Sequence, residues 1–385
     1  MKESKKIVVF GAGKIGRSFI GQVFSRSGYE VVFVDINLEL LELLNEHKQY
    51  QVVIKSNKGE ELILVKNVRG IHISNTEAVV AELADADLAA LSVGQQGIPA
   101  ALPLIAKSLL LRQQKQDNWP IDIIIAENMR NADQYIQMKL INLLPDDYPI
   151  NDLVGLVETS IGKMVPIMSK KDMMEDPLQV FAEPYNSLIV AKNSFKNPIP
   201  EVEFLAPKEN IKAWVDRKLF IHNLGHATAA YLGFQKNPEW IYIYEALEDK
   251  EIFLTTRVTM LQSAEILMSL YPYEFTFSQL EMHIDDLLER FKNEALGDTI
   301  FRVGCDLYRK LGPEDRLAGP IHAAIKLNMP YNYIFDVIRS AVNFRARDEN
   351  AKCFPVDEQF FIESENGLAS ILLKVCKIDL QESYM

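Results

Sequence analysis

The chain has 385 residues, of which 48% are hydrophobic and 24% charged, and its formal net charge is −12. This length can supply two domains, each with its own core, and the composition is typical of a soluble globular protein. The negative charge argues against nucleic acid or an anionic membrane surface as the main partner. It does not exclude a small anionic substrate, because a pocket can be locally basic.

The first strong pattern lies near the start of the chain. A β-branched run at 6–10, KIVVF, predicts a buried parallel strand. The glycine-rich segment 11–16, GAGKIG, follows at once. A helical periodicity then ends at Gly28, and a second buried strand at 31–34 closes on Asp35. This order is typical of the βαβ unit of a dinucleotide-binding fold, in which the start of the helix binds phosphate.

The same unit predicts the cofactor. A carboxylate at the end of the second strand hydrogen-bonds the ribose hydroxyls of adenosine and repels the extra phosphate of NADP. Asp35 holds that position, and Ile36 and Asn37 after it offer no cation. We therefore predict NAD; the alternative is that Asp35 only caps the next helix. The predicted cofactor-binding residues are Gly11, Ala12, Gly13, Lys14, Ile15, Gly16 and Asp35.

Two later apolar runs, 86–93 and 121–126, predict further parallel strands, and a polar segment follows each of them. Ligands bind at such strand ends in open α/β sheets. Lys170–Pro177 reads as a charged loop, and from about residue 210 the pattern is almost entirely helical. The helical runs predicted there cover 210–232, 240–271, 277–293 and 333–345.

The predicted fold is therefore α/β. A Rossmann-type, doubly wound N-terminal domain with extra strands at 151–195 covers 1–200, and a mostly α-helical C-terminal domain covers 201–385.

Residues 218–226, KLFIHNLGH, hold three groups suited to alcohol and ketone redox chemistry. On a helix with 100° per residue, Lys218, Asn223 and His226 fall within an arc of about 140° and can face one cleft. A lysine whose pKa is lowered by burial can donate a proton to a nascent alkoxide. An asparagine amide can stabilise the developing oxyanion. Spacing alone leaves open an ordinary amphipathic helix with a solvated lysine and packed histidines.

The remaining signals concern compartment and metals. The first residues lack the features of a signal peptide, and no apolar stretch is long enough to span a bilayer. Cys305, Cys353 and Cys376 lie far apart, with no CxxC pair and no metal-ligand spacing. We therefore predict a cytoplasmic protein with no metal site that acts as a monomer or homodimer on a small molecule, with no nucleic-acid or membrane partner.

Several segments together resemble one family. Lys218-x4-Asn223-x2-His226 is similar to the active-site motif of the mannitol dehydrogenase family, the polyol-specific long-chain dehydrogenases. The segments FGAGKIGRSFIG, AENM, RKLFIHNLGHATAAYLG, DRL and NFR match the family in order and spacing. The resemblance covers nearly the whole chain.

The resemblance implies NAD(H)-dependent interconversion of fructose 6-phosphate and mannitol 1-phosphate, part of carbohydrate metabolism. It implies that Lys218 is the general acid and base, that Asn223 and Asn128 bind the oxyanion, and that His226 contacts the substrate. The phosphate would need arginine or lysine donors. Among the basic residues of the resembling segments we favour Arg302 and Arg345, with Lys163 as a further candidate.

One departure from the family affects the substrate prediction. The family carries an Asp-Arg pair before a hydrophobic-x-Pro segment, where this chain has Gly162 and Lys163. Lysine lacks the bidentate fork of arginine. Reduction of a uronate, tagaturonate or fructuronate, by the same mechanism is therefore an alternative. A protein that binds NAD(H) as a regulator without turnover is the alternative from another class.

Overall fold

The structure is a computed structural model that describes residues 5–115 and 119–379. The chain divides into two compact units, Met1–Trp214 and Val215–Met385. The observed border thus lies 14 residues after the border at 200/201 that the sequence suggested. The reason is local, because a strand at Leu205–Lys208 completes the sheet of the first unit.

The first unit is built on strands that form two sheets. The strands are β1 Lys6–Phe10, β2 Glu30–Asp35, β3 Gln49–Ser56, β4 Gly59–Lys66, β5 Val68–His72, β6 Leu88–Leu91, β7 Ile121–Ile125, β8 Val154–Ser160, β9 Val180–Ala182, β10 Leu188–Ala191 and β11 Leu205–Lys208. The larger sheet has the order β11-β10-β8-β7-β6-β1-β2-β5. Six neighbouring strands of this sheet, β5-β2-β1-β6-β7-β8, are parallel. They follow the 3-2-1-4-5-6 order of the Rossmann fold.

Helices cover both faces of this sheet. They are α1 Gln22–Arg26, α2 Leu38–His47, α3 Thr76–Ala84, α4 Ile98–Lys115, α5 Ala132–Ile141, α6 Ile150–Leu153 and α7 Lys170–Glu175, and α8 Ile211–Arg217 crosses into the second unit. Along β1, Ile7 and Val9 belong to one hydrophobic core, whereas Val8 and Phe10 belong to the other. The strand is therefore buried on both sides, and the predicted doubly wound architecture is confirmed.

The extra strands expected at 151–195 are β8, β9 and β10, but the sequence did not predict β3 and β4, which join β9 in a smaller sheet of order β4-β3-β9. Its hairpin of β3 and β4 is antiparallel, with alternating burial, and Val52 and Ile54 of β3 pack into the same core as Phe19. The loop predicted at Lys170–Pro177 is wrong in its first part. A helix begins there because Ser169 and the side chain of the third helical residue form a capping box.

The second unit is helical, as predicted. Its helices are α9 Leu224–Lys236, α10 Ile243–Glu248, α11 Lys250–Leu270, α12 Phe277–Phe291, α13 Ile300–Gly304, α14 Leu307–Lys310, α15 Ala318–Leu327, α16 Asn332–Val342, α17 Asp357–Ser364 and α18 Leu368–Ile371. Helix α11 is the centre of the unit and packs against α9, α12, α15 and α16. The single run predicted at 240–271 is two helices, because Asp249 caps the start of α11.

Three segments adopt π-helical geometry: Gly16–Gly21, Lys218–Asn223 and Leu372–Cys376. Short 3₁₀ turns lie at Lys192–Ser194 and Glu294–Leu296. Within residues 5–115 and 119–379, no helix has the length and apolar composition needed to cross a membrane.

Candidate active site

The glycine-rich loop after β1 has the geometry that a bound dinucleotide requires. Gly11 has a φ of +97°, and a Cβ there would lie 2.3 Å from the carbonyl oxygen of Ser92. A Cβ on Gly16 would lie 1.9 Å from the carbonyl oxygen of Gly11. A Cβ on Gly13 would meet nothing within 4 Å. The first and third glycines thus allow the tight turn and the close packing, and the middle one leaves the backbone open to a ligand.

Asp35 lies at the end of β2, beside this loop. Its carboxylate accepts hydrogen bonds from the backbone N–H of Ala12 at 2.7 Å and of Asn37 at 2.9 Å. The side chain that caps the helix start is that of Asn37, which accepts from the N–H of Leu40. Asp35 is partly exposed. Its contacts therefore join the loop to the strand end, and both are elements that the adenosine half of NAD uses.

Arg17, which the sequence did not single out, holds the same loop from behind. The guanidinium is buried and donates from Nε to the carbonyl of Ala12 at 2.7 Å and from Nη1 to the carbonyl of Leu178 at 2.6 Å. Burial lowers the pKa of Arg17 from its ordinary value. Arg17 therefore fixes the glycine-rich loop through the Ala12 carbonyl, although no local sequence motif predicts this role.

Two strand ends of the first unit are joined by hydrogen bonds. The carboxylate of Glu127, just after β7, accepts from the backbone N–H of Gly94 at 2.8 Å. In return, Gln95 Nε2 donates to the backbone carbonyl of Asn128 at 3.1 Å. Burial raises the pKa of Glu127. Asn128, predicted to bind the oxyanion, is thus an exposed side chain on a backbone segment that is fixed from both sides.

Lys163 is a buried residue in the first unit. Its ammonium donates to the backbone carbonyl of Tyr185 at 3.0 Å and to Asn186 Oδ1 at 2.7 Å, and it lies 5.2 Å from the ring centre of Phe19. These contacts are those of a lysine that anchors a loop. Gly162 before it is partly exposed.

The Lys218 segment is helical, but its first turn is a π-helix rather than an α-helix. In a π-helix the backbone bonds join residues five apart, so Asn223 follows Lys218 by one π turn. The buried hydroxyl of Ser263 donates to the carbonyl of Phe220 at 2.6 Å within this turn. A π turn of this kind is frequent at functional sites. The α-helical period assumed from the sequence does not apply to this first turn.

A close approach of α9 and α11 supports this geometry. A Cβ on Gly225 would lie 2.4 Å from the sulfur of Met260, so a larger residue there would require the Met260 side chain to move. The Gly of the LGH sequence therefore has a packing role that its spacing did not reveal.

Lys218 has an unusual electrostatic environment. Its pKa is lowered from 10.5 to about 8, mainly by burial and also by the nearby Arg316 guanidinium, while Asp315 opposes this effect. Part of the Lys218 surface remains accessible. A lysine with this pKa can exchange a proton near neutral pH, which is the property of a general acid and base.

Asn223 and His226 offer unused polar atoms in the same segment. Asn223 is only 9% exposed, and its side-chain amide has no hydrogen-bond partner in the described part of the chain. The ring of His226 stacks on Phe291, with centroids 4.5 Å apart and planes at 4°. His222 packs edge-on against the same phenylalanine. The two histidines thus differ in environment, since among the described residues His226 but not His222 contacts a carboxylate.

That carboxylate belongs to Asp298, which the sequence reading missed. Its Oδ2 lies 3.3 Å from His226 Nε2, and both atoms are buried without a hydrogen bond of good geometry among the described residues. Its second oxygen contacts the guanidinium of Arg302. Asp298 is 5% exposed and lies 72 residues after His226, so no local pattern could have joined them. Burial and nearby cations, Arg302 first, lower the pKa of His226 well below its ordinary value and keep the ring neutral.

The other predicted substrate residues lie in the second unit. Arg302 is half-exposed and pairs with Asp298. Arg345 donates to the backbone carbonyls of Val342 and Phe344 and to the hydroxyl of Ser364, and its guanidinium lies over Phe361. Arg345 therefore has a packing role at the end of α16. The free cysteines, Cys305, Cys353 and Cys376, form no disulfide, and no metal-binding cluster occurs among the described residues.

Comparison with known proteins gives the same division of the chain. Residues 5–204 match the mannitol dehydrogenase Rossmann domain, and residues 210–373 match the mannitol dehydrogenase C-terminal domain. The mannitol-1-phosphate 5-dehydrogenase of Buchnera aphidicola (subspecies Acyrthosiphon pisum, strain APS) is 30% identical over 97% of this chain and 94% of its own length. The enzyme of the same name from Streptococcus mutans is 32% identical over 90% of this chain and 88% of its own.

Solved structures share the fold. A D-sorbitol dehydrogenase in substrate-free form superimposes with a TM-score of 0.81 over 99% of this chain and 91% of that one, at 16% identity. Mannitol 2-dehydrogenase from Pseudomonas fluorescens, in a ternary complex with NAD and D-mannitol, gives 0.76 over 97% and 87%, also at 16% identity. The two domain matches together, and each relative by itself, extend over most of the sequence. The chain therefore belongs to the mannitol dehydrogenase family of oxidoreductases.

Proposed function

We propose that this protein interconverts fructose 6-phosphate and mannitol 1-phosphate with NAD(H). The observation that carries the proposal is the partly exposed Lys218, with a pKa of about 8, on the same π turn as the side-chain amide of Asn223. Relatives at 30% and 32% identity bear the name of an enzyme with this substrate. A non-catalytic regulator would have no need for this arrangement.

NAD is the redox cofactor of the proposed reaction. The open backbone at Gly13 and the carboxylate of Asp35 are where its pyrophosphate and adenosine ribose would be held. The cofactor, when bound, gives a hydride to the C2 carbonyl carbon or takes it back. Lys14, Ile15 and Gly16 supply backbone at the start of the following helix.

The chain's own groups move the proton. In reduction, the Lys218 ammonium donates a proton to the alkoxide oxygen at C2, and the product is the alcohol. In oxidation, neutral Lys218 removes the same proton. The amide N–H of Asn223 would stabilise the negative charge that develops on that oxygen. Asn128, in the first unit, remains the predicted second donor.

His226 has a role set by its partner. Since Nε2 faces the Asp298 carboxylate, that nitrogen carries the proton, and Nδ1 is left as an acceptor. We infer that it accepts a hydrogen bond from a substrate hydroxyl and so helps to orient the sugar.

The test is the loss of NADH absorbance with fructose 6-phosphate, fructose, tagaturonate and fructuronate offered in parallel. We expect a strong preference for fructose 6-phosphate. Preference for a uronate would keep the Lys218 mechanism but move the substrate to the alternative class. Binding of NADH without consumption of any of the four would support the regulator instead. The Lys218→Ala variant should bind NADH normally and lose nearly all turnover.

A further inference from the structure

Arg316 is a buried arginine whose hydrogen-bonding capacity is only partly used. Its side chain is 9% exposed and lies just before α15. Both its backbone N–H and its Nε donate to Oδ1 of Asp315, each at 2.7 Å. Its two terminal nitrogens have no hydrogen-bond partner among the described residues, and neither is fully enclosed. A buried guanidinium with its outer fork open is an incomplete site, because buried donors are normally satisfied.

Arg316 shares its carboxylate partner with a second cation. Asp315, its one carboxylate partner in the described residues, also accepts from Arg309 at 3.4 Å. The positive charge of Arg316 reaches Lys218, His226 and Lys310, whose pKa values it lowers. Arg309 also pairs with Asp306, so Arg316 shares its one carboxylate with a second guanidinium, and the buried Lys310 lies within electrostatic range. An anion bound to the two terminal nitrogens of Arg316 would offset its positive charge.

Two other basic residues of this unit, Lys310 and Arg345, already donate hydrogen bonds to protein groups. Lys310 donates to the carbonyls of Arg302 and Val303, at 3.3 and 2.6 Å. Arg345 is engaged with two backbone carbonyls and a serine hydroxyl. Arg316 is thus a buried guanidinium with free terminal donors in electrostatic contact with the proposed acid and base.

We propose that Arg316 is the residue that recognises the phosphate monoester of the substrate, through a bidentate pair of N–H groups. The proposal rests on the function proposed above and names the residue that separates sugar phosphates from unphosphorylated sugars. A guanidinium presents two parallel N–H groups that match two phosphate oxygens, and a lysine ammonium does not.

Two variants separate charge from geometry. Arg316→Lys keeps the positive charge but loses the fork, and Arg316→Gln loses both. For fructose 6-phosphate we expect kcat/KM to fall about 100-fold in Arg316→Gln and about 10-fold in Arg316→Lys, mostly through KM. With unphosphorylated fructose, each variant should lose several-fold less activity than with fructose 6-phosphate, because only the effect of the Arg316 charge on Lys218 is then removed. Inorganic phosphate should inhibit the wild type competitively and Arg316→Gln only weakly.

Arg339→Gln is the matched control, because Arg339 is an exposed arginine of the same unit that pairs with Asp336. It should leave all these values unchanged. An equal loss with fructose and fructose 6-phosphate would overturn the proposal and make Arg316 a structural residue. So would unchanged inhibition by inorganic phosphate in Arg316→Gln.

The two proposals can fail separately. If the wild type does not reduce fructose 6-phosphate, the proposed function fails, and phosphate binding is then measured directly by calorimetry on the NAD-loaded protein. Retention of phosphate binding in Arg316→Gln would refute the site whatever the substrate. Stronger competition by a carboxylate such as glucuronate than by phosphate would refute the phosphate assignment and favour a uronate. Thermal unfolding and NADH binding of each variant identify any that fails to fold, and Arg316→Lys then decides.

Discussion

Replacing Lys218 by methionine should stabilise the protein while abolishing catalysis. Lysine and methionine have similar length, but only the lysine brings a charge into the buried π turn. A pKa lowered from 10.5 to about 8 corresponds to about 3 kcal/mol of unfavourable free energy for the charged form in the folded state. The variant also loses the polar contacts of the ammonium. We therefore expect a net gain of about 2–3 kcal/mol in the free energy of unfolding at pH 7.

The lowered pKa of Lys218 also predicts how the free energy of unfolding changes with pH. Below pH 8 the lysine is protonated in both states, so the full cost is present. Between about 8 and 10.5 the folded protein loses the proton first, and the unfolded state binds more protons. The stability of the wild type therefore rises with pH across this window. The advantage of Lys218→Met should shrink above pH 8 and disappear near pH 10.5.

The assay is urea denaturation followed by circular dichroism at several pH values, with a separate transition fitted for each unit if two are resolved. Lys326→Met is the control, since Lys326 is an exposed lysine of the same unit. That change should alter stability by less than about 0.5 kcal/mol at every pH. An advantage of Lys218→Met that is absent at pH 7, or that does not depend on pH, would refute the reasoning.

Other expected outcomes concern both units. Gly16→Ala should prevent NADH binding and destabilise the fold by more than about 2 kcal/mol, because the new Cβ would lie 1.9 Å from the Gly11 carbonyl oxygen; calorimetric titration with NADH checks it, and normal affinity would contradict it. Asp298→Asn should lower kcat/KM about 10- to 100-fold and change its pH profile without affecting the KM for NADH, since His226 loses its anionic partner; a change in stability alone would make the contact structural. Asp35→Ala should lower the preference for NAD over NADP at least about 10-fold, and an unchanged ratio of the two KM values would remove this role.

The pH–rate profile provides a direct test of Lys218 as acid and base. The rate of polyol oxidation should rise with pH through about 8 and then level off, because only the neutral lysine accepts the proton. Ketone reduction should show the opposite trend, as it needs the protonated form. Steady-state rates in both directions between pH 6 and 10 decide, and a flat profile in both would contradict the assignment.

The sequence by itself determined the dinucleotide-binding unit. The order of KIVVF, the three glycines and Asp35 is local, and each residue acts within about 30 positions of the others. The parallel strands buried on both faces are continuous apolar runs, which is why β1, β2, β6 and β7 could be predicted. The smaller sheet escaped prediction because β9 joins β3 across more than 120 residues.

The chemistry of the second unit depended on contacts that only the tertiary structure shows. The sequence marked Lys218, Asn223 and His226, but the π turn arises where α11 packs against the segment and Ser263 takes up a carbonyl. The lowered pKa of Lys218 results from burial and from Arg316, almost 100 residues away in the chain. Charge, burial and hydrogen-bond partners are properties of three-dimensional neighbours, so residue spacing could name the reactive groups but not their protonation.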